Sequence, residues 1–204
     1  YSGIMLRPWA DDGYICWAVD VEHPIQGVEE DGINFVRHDL TVPWLPPFST
    51  TDIVFVAAFP PCNHLAVSGA RWFKGKGLRA LAKSVELFAT AAEFCEWSGA
   101  PYLIENPVST ISTYWRKPDM TFSPHEYAGW CEEDNYTQKT CLWVGGGFVT
   151  PTPCASYSGD PPDDRIHKMA PSPERAAMRS QTPQGFALAV YAANAPTDKD
   201  DIKW

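Results

Sequence analysis

The sequence predicts an α/β domain with a mostly parallel sheet and helices on both faces. Three observations lead there. Asp52 to Ala58 is a near-continuous apolar run, as expected of a strand covered on both sides. Leu78, Leu81, Val85, Phe88, Ala92 and Cys95 recur at spacings of three and four, the stripe of a helix of about six turns. Tyr102 to Glu105 is a second apolar run, set off from that helix by Gly99-Ala100-Pro101. Strand, long helix and strand in this order make a βαβ unit, whose strands run parallel.

The other elements follow along the chain. Tyr14 to Asp20 reads as a strand that ends in an acid, and Val36 to Leu40 as a shorter one that ends near Asp39. Thr140 to Val144 is a late strand, broken by Gly145-Gly146-Gly147. Residues 150 to 175 are rich in Pro, Ser and Asp and read as a long surface loop, part of an irregular stretch over about 145–180. Gln184 to Asn194 reads as a last amphipathic helix, and Pro196 to Trp204 as a frayed tail. Ligands of parallel sheets bind beyond the carboxyl ends of the strands. Asp20, Asp39, Cys62 and Glu105 all fall at such ends.

The bulk numbers set limits. A chain of 204 residues with 45% hydrophobic and 20% charged residues suits one globular domain over 1–204. A net charge of −9 argues against a large phosphate-gripping surface, though not against a local basic cleft. No apolar run is long enough for a transmembrane helix, so no membrane partner is expected. The chain opens at Tyr1 without Met, so an upstream piece is expected. Six cysteines without a C-x-x-C pair favour a reduced, cytoplasmic setting and no metal site.

The chemistry rests on two tetrapeptides, Phe59-Pro60-Pro61-Cys62 and Ile104-Glu105-Asn106-Pro107. The prolines fix φ and stiffen the loop, so the thiol of Cys62 is presented rather than packed. A thiolate that adds at C6 of a pyrimidine turns the ring into an enamine with electron density at C5. An acid at N3 stabilises that state. Cys62 suits the first role and Glu105 the second, with Asn106 holding the acid or the base edge. The competing reading makes Cys62 an inert packed thiol and Glu105 a capping acid.

Arg71, Lys74, Lys76 and Arg79 form the main basic cluster and directly follow the Cys62 loop. They read either as phosphate contacts or as a solvated loop. Trp72 beside them can stack on a base. His64, two residues after the thiol, raises a Cys-His hydrolase alternative.

The two motifs resemble the nucleophile and acid motifs of the cytosine-C5 methyltransferases. Ser2-Gly3, then Gly13-Tyr14 and Val19-Asp20, resemble that family's opening. Gln138-Lys139-Thr140 resembles a reduced form of its basic motif, and Arg179 to Ala187 its closing segment. The likeness is closest to small phage-type members. It implies a Rossmann-like class I methyltransferase fold, with the first strand lying before Tyr1. It also implies S-adenosylmethionine as donor, held by Ser2, Gly3, Asp20, Asp39 and Phe59. Pro61, Arg71, Lys74 and Lys139 would meet the substrate, a cytosine in DNA, single-stranded or flipped out.

Two departures open alternatives. The first loop carries Ile4-Met5-Leu6 where the family has further glycines, and segment 145–183 is too short for a target-recognition domain. A free deoxycytidine nucleotide as substrate, methylenetetrahydrofolate as donor (giving hydroxymethylation), and an inactive nucleotide- or protein-binding homologue are the rival readings.

Overall fold

The computed structural model describes residues 3–24, 27–42, 44–170 and 172–197. In chain order the strands are β1 (Cys16–Asp20), β2 (Val28–Glu30), β3 (Ile33–Arg37), β4 (Val56–Ala58), β5 (Tyr102–Pro107), β6 (Met120–Phe122) and β7 (Thr140–Gly145). The helices are α1 (Arg7–Asp11), α2 (Phe73–Lys76), α3 (Leu78–Ser98), α4 (Ile111–Tyr114), α5 (Arg165–Lys168), α6 (Pro173–Ser180) and α7 (Gln184–Asn194). The architecture is mixed α/β with two mixed sheets. No helix among the described residues is long and apolar enough to cross a membrane.

The chain divides into two compact units. The first comprises Tyr1–Asp39, Phe122–Gln138 and Thr150–Ala195. Its sheet has the order β1-β3-β2, with β1 parallel to β3 and β2 antiparallel to it. Asp31 and Gly32, at φ 48° and 77°, form a two-residue hairpin turn between β2 and β3, with Glu30 opposite Ile33. That turn corrects the expected strand Val36 to Leu40. Pairing begins directly after Gly32, so β3 ends at Arg37 and Asp39 lies in the loop beyond.

In the same unit α7 is buried along Phe186, Ala187, Ala189 and Val190. Its start is fixed by Asp134, whose Oδ2 accepts from Gly185 N at 2.6 Å. Tyr127 packs edge-on against Phe186, with ring centres 5.2 Å apart. A side chain on Gly185 would overlap the Tyr127 carbonyl oxygen. The expected loop over 150–175 holds two short helices, α5 and α6. Ser172 Oγ caps α6 by accepting from Arg175 N at 3.2 Å, and Pro173 takes the first helical position.

The second unit comprises Leu40–Thr121, Lys139–Val149 and Pro196–Trp204. Its sheet order is β4-β5-β7-β6, with β4 parallel and β7 antiparallel to β5. The βαβ unit is β4-α3-β5. The run Asp52 to Ala58 is strand only over Val56–Ala58 and is half-buried rather than covered. Ser49 and Asp52 cap each other across a 3₁₀ turn at Thr50–Asp52, which removes those residues from the ladder.

The core of this unit joins Phe88, Ala92 and Cys95 of α3 to Tyr102 and Ile104 of β5 and to Cys141 and Trp143 of β7. The predicted stripe holds except at its start, where Leu78 is 82% exposed. Gly99, at φ 67°, ends α3 in the left-handed conformation. Gly146, at φ 61°, lies against the Ala100 carbonyl so closely that a side chain there would overlap it. Of the expected tail Pro196 to Trp204, residues 198–204 lie outside the described ones.

Candidate active site

The site in the second unit is built where β4 and β5 end. The parallel register pairs Ala58 with Ile104. Carried one step further, it sets Phe59 beside Glu105 and Pro60 beside Asn106. Asn106 Nδ2 donates to Pro60 O at 2.9 Å and ties the proline loop to the strand end. Asn106 is only 1% exposed, so this bond is shielded from water. Past Cys62 the chain turns, with Leu65 N and Ala66 N both donating to Cys62 O at 3.0 and 2.9 Å. It then runs against the segment after Pro107. Val67 N donates to Val108 O at 2.9 Å, Thr110 N donates to Leu65 O at 3.0 Å, and Ala66 bridges Ser109. The thiol loop and the acid strand are therefore clamped on both sides of Cys62.

Side-chain alternation sends Tyr102, Ile104 and Asn106 to the α3 face of the sheet and Leu103 and Glu105 to the other. Glu105 is partly buried, and no hydrogen bond or ion pair reaches its carboxyl among the described residues. Burial lifts its pKa from an ordinary 4.5 to about 7, so it holds a proton through much of the neutral range. Cys62 is partly exposed and free of disulfide bonding.

Four further buried polar atoms at this junction have no hydrogen-bond partner among the described residues: Asn106 Oδ1, His64 Nδ1, Ser109 Oγ and Thr110 Oγ1. Such atoms are rare in folded proteins and are a reason to look for a ligand. Asn106 was legible in the sequence as a site residue. Ser109 and Thr110 were not, because they join the site only through the crossing of two segments distant in sequence. The motif spacing that singled out Glu105-Asn106 was the one available pointer to them.

The remaining expected substrate residues fall around the same sheet end. Pro61 is exposed beside Cys62. Lys139 is exposed and immediately precedes Thr140, which pairs with Pro107. Arg71 and Lys74 follow the clamp, on a 3₁₀ turn (Val67–Trp72) and on α2. The Arg71 guanidinium lies over the Trp72 ring at 5.0 Å, and Trp72 is 61% exposed. His64 finds no third residue to orient it among the described ones, which leaves the hydrolase alternative without its orienting group.

The expected donor-binding residues divide between the units. Phe59 belongs to the second and is exposed. Gly3, Asp20 and Asp39 belong to the first, and Ser2 lies outside the described residues. Because β1 and β3 run parallel, Asp20 and Asp39 come to the same sheet end, and His38 N donates to Asp20 O at 3.2 Å. Asp20 Oδ1 accepts from Glu22 N at 2.9 Å, and no partner reaches Oδ2 among the described residues. A carboxylate oxygen so placed fits the hydroxyl groups of a ribose. Gly3 lies at φ 70°, a backbone conformation that favours glycine, and a Cβ there would meet Ile33 and Phe35 only at ordinary contact distances of 3.4 and 3.5 Å.

No protein-family model, curated protein or solved structure matches this chain.

Proposed function

We propose that this protein transfers a one-carbon group to C5 of cytosine through a covalent bond between Cys62 and C6. The observation that carries the reading is the clamp that joins the Cys62 loop to the end of β5, where Glu105 keeps a proton near neutrality. Two parallel pairs, β1 with β3 and β4 with β5, together with the β4-α3-β5 unit, support a Rossmann-like methyltransferase fold.

The Cys62 thiolate forms the S–C6 bond, and the C5–C6 π pair moves into the ring. Glu105 donates its proton to N3, which leaves an enamine nucleophilic at C5. Asn106 assists by holding the thiol loop through Pro60. S-adenosylmethionine supplies an electrophilic methyl group when bound, with Asp20 on its ribose and Asp39 on its adenine. C5 takes the methyl group as its bond to the sulfonium sulfur breaks and the pair stays on sulfur; C5 then loses its proton to solvent and N3 returns its proton to Glu105. The C6–S bond breaks, the ring double bond returns, and the thiolate is released. A folate-borne carbon would enter at the same C5 position.

The test is trapping. A substrate carrying 5-fluorocytosine cannot lose fluorine from C5, so the adduct persists through denaturing electrophoresis. The wild-type chain plus donor is expected to give the adduct and Cys62→Ser none. Absence of adduct with DNA and with free nucleotide alike, with either donor, would overturn the reading and favour a non-catalytic binding protein.

A further inference from the structure

We propose that the cavity between the Cys62 loop and the start of α3 receives a phosphate group, carried by a free deoxycytidine nucleotide or by the strand that holds the target base. The inference rests on the reading of Cys62 as the nucleophile on cytosine. The cavity has a volume of about 380 Å³, and His64, Phe73, Lys74, Lys76, Leu78 and Leu81 line it. That is the size range of small-ligand sites.

Charge is the first argument. Lys74 and Lys76 face the cavity in a chain whose net charge is −9. Among the described residues neither lysine has an ion pair, and neither do Arg71 and Arg79 beside them. By contrast, Arg165 is paired with Asp163 at 2.6 Å and Lys168 with Asp164 at 2.7 Å. In an acidic protein, lysines without an ion pair on a cavity wall are open to an external anion.

The cavity wall adds donors. Gly77 and Leu78 line it, and they begin α3, a helix of 21 residues with no side-chain cap at its start. Its first N–H groups and the positive end of its dipole therefore add to the lysine charge. His64 is independent of the helix, and its buried Nδ1 has no partner among the described residues. The apolar walls of Phe73, Leu78 and Leu81 suit the sugar or base that accompanies the anion. The anion that a cytosine substrate brings is phosphate.

The site also bears on the nucleophile. Lys76 Nζ donates to Asn63 O at 2.5 Å, one residue beyond Cys62. The lysine that contacts the anion thus holds the thiol loop as well.

Calorimetry with deoxycytidine, its 5′-monophosphate and a short oligodeoxycytidylate tests the proposal on the wild-type chain and on Lys74→Gln, whose melting temperatures are recorded alongside. At least one phosphorylated ligand is expected to bind about tenfold more tightly than deoxycytidine, and Lys74→Gln to lose about that factor on it alone. Inorganic phosphate is expected to compete. Preference for the monophosphate identifies a free nucleotide as the source, and preference confined to the oligomer identifies a strand. Equal affinity for all three ligands, no binding of any, or an unchanged Lys74→Gln overturns the proposal. The wild-type comparison decides even if the variant is unstable. An adduct at Cys62 without phosphate preference removes the cavity and keeps the base chemistry, whereas phosphate preference without an adduct does the reverse.

Discussion

Glu105 couples chemistry to stability. Its folded pKa of about 7 lies above its ordinary 4.5, so between those values the folded chain holds a proton that the unfolded chain has released. Stability therefore falls as pH rises across that window, by on the order of 3 kcal/mol. Glu105→Gln is expected to flatten the fall, read as melting temperature against pH. A slope unchanged in the variant would show that another group titrates. If Glu105 is the acid at N3, the wild-type rate of adduct formation also falls as pH rises past about 7, and Glu105→Gln slows it by about a hundredfold or more at neutral pH. Asn106→Ala removes the bond to Pro60 O, which is expected to cost about 1–3 kcal/mol in chemical denaturation. At this scale the sequence was informative where one short motif holds the chemistry. It was silent where partners meet only in space, as with Ser109 and Thr110.

Helices were easier to read than strand limits. Gln184–Asn194 is the helix its spacing predicts, because an apolar face of period 3.6 is a local signal. The Asp31-Gly32 hairpin sets the start of β3 at Ile33, so the strand keeps Val36 but ends at Arg37, short of the expected Leu40. Proline and serine around α6 read as loop, yet Ser172 caps a helix there and Pro173 starts it. Gly185 is fixed by its surroundings rather than by any preference of its own. Gly185→Ala is expected to lower stability by about 1–3 kcal/mol, seen as an earlier urea midpoint, because the Tyr127 carbonyl occupies the position of the new methyl group. A midpoint that stays put would mean that α7 shifts without penalty.

For the whole chain, the alternation of strand and helix gave the α/β class and the β4-α3-β5 unit. The division of strands between two mixed sheets was not legible, because pairing between distant segments leaves no local pattern. None of the six cysteines forms a disulfide, so a reductant is expected to leave the melting temperature unchanged. A downward shift would reveal a cross-link. The contact of Gly146 with Ala100 sets a rule for anyone splicing a reporter or affinity tag into this protein. One grafted at Gly159, whose surroundings are open, leaves the architecture alone. One grafted between Gly99 and Pro101 pulls the Ala100 carbonyl off the one residue small enough to sit beneath it, and the end of α3 and the exit of β7 come apart together.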